Sequence, residues 1–357
     1  MNRYLKSIRP TVLELEPYHL SASQVKIKLN QNESPYDLPV ALKQDILQEI
    51  SELAWNRYPQ FKNDNLQSRL ADYLHIDANR LLIGNGSNDL LQLLINLILP
   101  VNATVLTVSP TFAIYRQLCH IAGLNQIDIS FDADWQFPVE KIISLLEARK
   151  IDLCILCSPN SPTGASIPEE DLLNILQKTK GLVLVDEAYY EFSKRDYSTF
   201  QPDFKNLILS RTFSKAMGLA GLRIGYFIAA KELQQELAKA KLPYNLNIFS
   251  ELVATRLLEN MEAVEMNIQK ILNEKKILFQ HLNELDGLTV YPSDTNFFMI
   301  ESSLDAPVLF KELQSREILV RDISKQHPRL ENKLRITVGS YDENTSLVNV
   351  LAEILNT

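Results

Sequence analysis

The residues best suited to chemistry lie in SRTFSKAMGLAGLRIG, positions 210–225. Lys215 follows the apolar run LILS, which places it just past the carboxyl end of an expected strand. Open α/β sheets bind their ligands there. A primary amine in that position can form a Schiff base with an aldehyde. Ser214 and Arg223 can donate hydrogen bonds to a phosphate. Together they suit a cofactor bearing both an aldehyde and a phosphate. Taken alone, the segment also fits a surface lysine in a loop.

LVLVDEAYYEF, 182–192, puts Asp186 at the end of a second apolar strand. An acid after four aliphatic residues needs a cationic or hydrogen-bonding partner. The protonated ring nitrogen of pyridoxal phosphate is such a partner, and the pair keeps the ring able to accept electrons. Tyr189 can reach the phenolic oxygen of such a ring. Asp186 alone fits a metal or a structural role equally well. A third strand leads into CSPNSPTG, 157–164. Its prolines and glycine make a rigid turn from which Asn160 or Ser161 can donate to the ring oxygen. GNGSND, 84–89, opens a buried helix and offers backbone N–H groups to an anion. It lacks the spacing of a Walker loop or a dinucleotide fingerprint, and a simple capped helix entry explains it equally well.

The elements that must position these residues follow from periodicity. Helical spacing covers Val40 to Ala54, Leu66 to Leu74 and the stretch from Asn88 to Leu99, which is apolar on nearly all sides. Apolar strands are expected at 104–109, 151–156, 182–185, 207–210 and 225–230. Helices are expected from about Tyr115 and after Pro168. Strands apolar throughout and separated by helices indicate a mainly parallel sheet covered on both faces. One long helical stretch is expected from about Ile248 to Leu285. Short strands in LTVYP, NFFMIE and KLRITVG then alternate with helices near 306–316 and 343–355, an α+β pattern. Residues 1–35 read as an irregular arm, 36–247 as a large α/β domain and 248–357 as a smaller α+β domain.

Composition excludes other classes. The 357 residues carry a net charge of −8 and are 46% hydrophobic, which argues against disorder and against non-specific nucleic-acid binding. No run of about 20 apolar residues is available to span a membrane. The N-terminus has no signal-peptide core. Three cysteines cannot all pair, and a reducing cytoplasm is expected. Cys154 and Cys157 form a C-x-x-C inside an apolar run. No second such pair completes a metal site, so a buried strand is expected and no metal. Only ten residues are glycine, against roughly 25 at the usual ~7%. Gly84, Gly86, Gly164, Gly218, Gly221 and Gly225 all fall in the segments above, and Gly339 follows KLRITV. Glycine is therefore concentrated where backbone must approach a ligand or take unusual dihedrals.

The four segments, in this order, resemble the type I (aspartate-aminotransferase) fold of pyridoxal-phosphate enzymes, over nearly the whole chain. Within that fold the chain is most similar to the histidinol-phosphate aminotransferase family. The resemblance rests on LNQNESPYDLP (29–39), RYP (57–59), GNGSND, SPTF (109–112), SPNSPTG, VDEAY (185–189), RTFSKAMGLAGLRIGY (211–226), ILVRD (318–322) and LRITVG (334–339).

The resemblance implies a seven-stranded, mainly parallel sheet and pyridoxal 5′-phosphate as cofactor. Lys215 would carry the Schiff base and move the proton. Asp186 would bind the pyridine nitrogen, and Tyr189 would face the ring oxygen. Ser87, Asn88, Ser214 and Arg223 would hold the phosphate, joined by Tyr58 from the neighbouring subunit of a homodimer. Arg321 and Arg335 would take the substrate phosphate or a carboxylate of glutamate, and Tyr18 and Asn32 would close over the substrate. Two positions depart from the family. Ser161 replaces the usual Asn before PTG, and Phe112 replaces a stacking tyrosine, keeping the stacking and losing the hydroxyl. The implied reaction is amino transfer between L-histidinol phosphate and 2-oxoglutarate. An aromatic amino acid aminotransferase, a threonine-phosphate decarboxylase and a non-catalytic binding protein on the same fold are the alternatives.

Overall fold

The computed structural model describes residues 3–17, 25–59, 64–193 and 195–356. After short helical turns at Arg3–Ser7 and Pro10–Leu13, the chain forms strand β1, Ile27–Lys28. The expected helices follow at Val40–Glu52 and Asp64–Leu74.

The central sheet holds β2 (Leu81–Gly84), β3 (Thr104–Ser109), β4 (Asn125–Ser130), β5 (Leu153–Cys157), β6 (Leu182–Asp186), β7 (Leu207–Thr212) and β8 (Gly225–Ile228). Their order is β2-β8-β7-β6-β5-β3-β4. Only β8 runs against the others. Every residue of β2, β5, β7 and β8 is buried, as strands covered by helices on both faces must be. Strand β4 escaped the periodicity reading because NQIDIS is a mostly polar edge strand with a single buried residue. The two cysteines of the C-x-x-C lie on opposite faces of β5, one in each flanking core. All three cysteines are free and buried.

The predicted single helix over 248–285 is two, Ile248–Leu258 and Met261–Asn283. Asn260 between them leaves helical dihedrals, at φ −131° and ψ 39°. The C-terminal part adds β9 (Leu288–Val290), β10 (Phe297–Ser302), β11 (Ile318–Leu319), β12 (Arg321–Asp322) and β13 (Lys333–Thr337). Four of these form a second sheet, ordered β12-β13-β10-β9. The arm is less irregular than its sequence implies. Strand β1 pairs in parallel with β11, Ile27 opposite Ile318, and so ties the arm to the C-terminal part. Among the described residues no helix is long and apolar enough to cross a membrane.

Candidate active site

The segments holding Lys215, Asp186, Ser161 and Ser87 converge on one edge of the central sheet. The parallel strands β2, β3, β5, β6 and β7 end there, and β8 begins there. The register makes the convergence tight. Cys157 pairs with Asp186, Asp186 with Ser210, and Gly225 with both Gly84 and Thr212. Strands β6 and β7 are aliphatic until their last residues, so their first polar side chains emerge at this edge. They surround a cavity of about 150 Å3. Lys215, Asp186, Tyr189, Ser161 and Phe112 line it, and Ser87, Asn88, Ser214 and Arg223 form its other end.

Lys215 is half-buried, and its Nζ donates to the Gln31 carbonyl at 2.7 Å. Burial pulls its pKa down to about 7, helped by the positive charges of Arg335 and Arg223. A neutral amine is therefore available near physiological pH.

Asp186 is 3% exposed and makes no ion pair among the described residues. Burial raises its carboxyl pKa to about 6. It accepts from the Tyr115 hydroxyl at 2.6 Å and from the Ala188 N–H at 3.2 Å. A buried acid held by neutral donors alone is a natural partner for a ligand cation.

The other end of the cavity suits an anion. Gly225 brings β8 so close to the helix at Ser87–Leu93 that a Cβ would stand 2.2 Å from the Ser87 nitrogen. Gly86, at φ +83°, leaves room for Arg223, whose Nη2 would lie 2.8 Å from a Cβ there. Arg223 itself adopts the left-handed φ of 55° and donates to Ser214 Oγ at 3.2 Å. Two positions without side chains thus bring a guanidinium, a hydroxyl and a helix start together. An amine, a buried acid held by neutral donors alone and this cradle fit pyridoxal 5′-phosphate.

The turn after β5 distinguishes its two candidates. The Asn160 side chain is consumed by the turn: its amide donates to Pro110 O and Thr163 Oγ1, and its oxygen accepts from Thr111. Ser161 lines the cavity, and its Oγ accepts from Arg335 Nη1 at 2.9 Å. Tyr189 accepts from Asn32 Nδ2 at 2.8 Å. Asn32 is buried at φ 56° and is bonded further to Thr337 and Asn296. Arg335 also donates to the Asn30 carbonyl at 3.0 Å, and Arg321 lies directly opposite it in the β12–β13 register. Tyr58 lies elsewhere. It is 82% exposed and stacks on Tyr244 with ring centroids 4.9 Å apart. Tyr18 falls outside the described residues.

Two supports went unnoticed in the sequence. Tyr115 lies in the first turn of the helix Ile114–Ala122, three residues after Phe112. Their rings meet edge to face at 5.6 Å. Arg211 is buried in β7 and pairs with Glu187 at 2.7 Å and Asp196 at 2.8 Å. This anchors the backbone immediately after Asp186. Among the described residues no cluster of metal-ligating side chains occurs.

The fold and this site define a pyridoxal-phosphate enzyme. Residues 24–351 match the family described as "Aminotransferase class I and II". The chain is 36% identical to a histidinol-phosphate aminotransferase of Caldanaerobacter subterraneus subsp. tengcongensis, covering 98% of this chain and 99% of the other. It is 37% identical to one from Chlorobium phaeovibrioides, covering 98% and 97%. A solved histidinol-phosphate aminotransferase of Sinorhizobium meliloti, in complex with pyridoxal-5′-phosphate, superposes with a TM-score of 0.88 at 23% identity, covering 98% of both chains. The chain belongs to the aminotransferase class I and II family, in its histidinol-phosphate aminotransferase branch.

Proposed function

We propose that the chain catalyses reversible amino transfer between L-histidinol phosphate and 2-oxoglutarate, a step of histidine biosynthesis. The observation that carries this reading is the arginine pair. Arg335 touches Ser161 at the wall of the Lys215 cavity, and Arg321 lies opposite it on the neighbouring strand. Two guanidinium groups suit a phosphate in one half-reaction and a carboxylate in the other. Near-full-length identity to enzymes named for this activity supports the same reading. An aromatic amino acid substrate needs only one carboxylate clamp, so the presence of Arg321 opposite Arg335 disfavours that alternative.

Ser87, Asn88, Ser214 and Arg223 hold the cofactor phosphate in this reading. Asp186 takes the protonated ring nitrogen, Tyr189 and Ser161 flank the ring oxygen, and Phe112 stacks on the ring. When bound, pyridoxal phosphate supplies an electron sink for the pair left at the substrate Cα. Asp186 keeps the ring nitrogen protonated. Lys215 carries the cofactor at rest. Its free amine would take the proton from the substrate Cα and return it, a task its lowered pKa suits. Asn160 acts through the turn that presents Ser161. Asn32 bridges the Tyr189 hydroxyl and Thr337.

The working unit is a cytoplasmic homodimer with shared active sites. The exposed Tyr58 would reach the phosphate of the neighbouring subunit, and each chain would divide into arm, large domain and small domain near residues 35 and 247. A substrate panel tests the function: histidinol phosphate, phenylalanine, tyrosine and threonine phosphate, each with and without 2-oxoglutarate. Histidinol phosphate should give the highest kcat/KM and require the oxo acid. Arg335→Ala should raise KM for histidinol phosphate by ten- to a hundredfold, the cost of a lost charged hydrogen bond. Preference for an aromatic amino acid, or amine formation without 2-oxoglutarate, would overturn the proposal.

A further inference from the structure

We infer that Arg329 is a positioning residue that latches the β12–β13 connection onto the central sheet and so sets where Arg321 and Arg335 stand. The inference rests on the reading of that pair as the substrate's anion site.

Residues 323–332 join β12, which carries Arg321, to β13, which carries Arg335. Arg329 sits midway, in the turn Pro328–Leu330. Its guanidinium leaves the C-terminal sheet and reaches the segment after β4. Nη1 donates to the Phe131 carbonyl, and Nη2 donates to the carbonyls of Asp132 and Ala133 at 2.7 and 3.1 Å. The same group lies 4.3 Å from the Trp135 ring centroid.

The receiving segment is shaped for this contact. Trp135 holds a left-handed φ of 59°, costly for a bulky aromatic and sustained only by its surroundings. Its indole packs against Met299, Ile323 and Leu330, a small core separate from the two main ones, and edge to face on Tyr291. Phe131 is fixed in turn: its N–H donates to the Ser109 carbonyl at 3.0 Å. Ser109 precedes the Pro110–Thr111–Phe112 turn, and Thr111 donates to Asn160 beside Ser161. Arg329 thus connects the two arginine strands to the turns that present Phe112 and Ser161. A planar guanidinium can address three carbonyls and a ring face at once, which a lysine ammonium cannot reproduce.

The test compares Arg329→Ala, Arg329→Lys and wild-type holoenzyme with histidinol phosphate and 2-oxoglutarate. The latch lies outside the cofactor cradle. Both variants should therefore keep the wild-type cofactor absorbance and cofactor Kd. KM for histidinol phosphate should rise about tenfold in Arg329→Ala, with kcat within threefold, and Arg329→Lys should recover less than half of the loss. Trp135→Leu, which keeps an apolar filler, should raise KM in the same way and carries the test if Arg329→Ala does not fold. An unchanged KM in the folded variants overturns the latch, as does an equal fall in kcat and cofactor affinity. Failure of the wild-type enzyme to use histidinol phosphate would instead overturn the proposed function.

Discussion

The Tyr115 hydroxyl donates to Asp186 Oδ2 at 2.6 Å, inside the sheet edge and away from solvent. Burial raises the Asp186 pKa to about 6, and this hydrogen bond opposes the rise. Tyr115→Phe should therefore raise that pKa further. Less carboxylate would then face the ring nitrogen at pH 7, and cofactor affinity should fall by roughly tenfold, the worth of one hydrogen bond to a charged group. Titrating cofactor binding by absorbance against pH checks this. Loss of affinity should begin at a higher pH in the variant than in wild type.

The same carboxylate sets a conflict between stability and function. A buried acid whose pKa rises from 3.8 to about 6 on folding destabilises the cofactor-free protein as pH climbs through that window, and the cost is complete above it. Asp186→Asn should make the cofactor-free protein more stable at pH 7–8, by roughly 3 kcal/mol. The gain should vanish below about pH 4. Denaturant melts at both pH values measure it. The same variant should hold the cofactor poorly.

Lys215 should reveal its depressed pKa in the capture of pyridoxal phosphate by cofactor-free protein. Only the neutral amine attacks an aldehyde, so the capture rate should rise with pH through about 7 and level above it. Arg335→Ala removes a positive charge that lowers this pKa, so its midpoint should move upward. Borohydride should fix the cofactor on Lys215, and Lys215→Ala should abolish turnover in a folded protein. Substantial activity in that variant would assign the chemistry to another residue.

Gly225→Ala tests the phosphate cradle. The added Cβ would stand 2.2 Å from the Ser87 nitrogen and 2.6 Å from the Gly86 carbonyl carbon, both backbone atoms that cannot swing aside. The strand or the helix start must shift. Cofactor affinity should fall at least a hundredfold, and the thermal midpoint should drop by several degrees. Gly221→Ala is the control: its Cβ would meet nothing within 4 Å, and it should leave both unchanged.

Much of this site was legible in the linear chain, because its key segments follow aliphatic runs. Lys215, Asp186 and the turn at 158–164 all follow segments that can only be buried strands, and a buried parallel strand releases its first polar side chain at its carboxyl end. Glycine scarcity pointed the same way. At Gly86, Gly164 and Gly225 a Cβ would collide within 2.8 Å of a neighbour, while at Gly221 it would meet open space.

The sequence by itself determined the class of fold and singled out the candidate amine, acid and phosphate cradle. These depend on local order along the chain: strand, turn, functional residue. Only the tertiary structure decided that Ser161 and not Asn160 faces the cavity, that Tyr115 holds Asp186, and that Arg329 ties the arginine strands to the large sheet. It also drew the arm into a strand beside β11 and made Asn32 a bridge between Tyr189 and Thr337. Those pairings join residues from 71 to more than 300 positions apart, and no periodicity encodes them. They arise where packing brings two polar groups together away from water and each must find a partner.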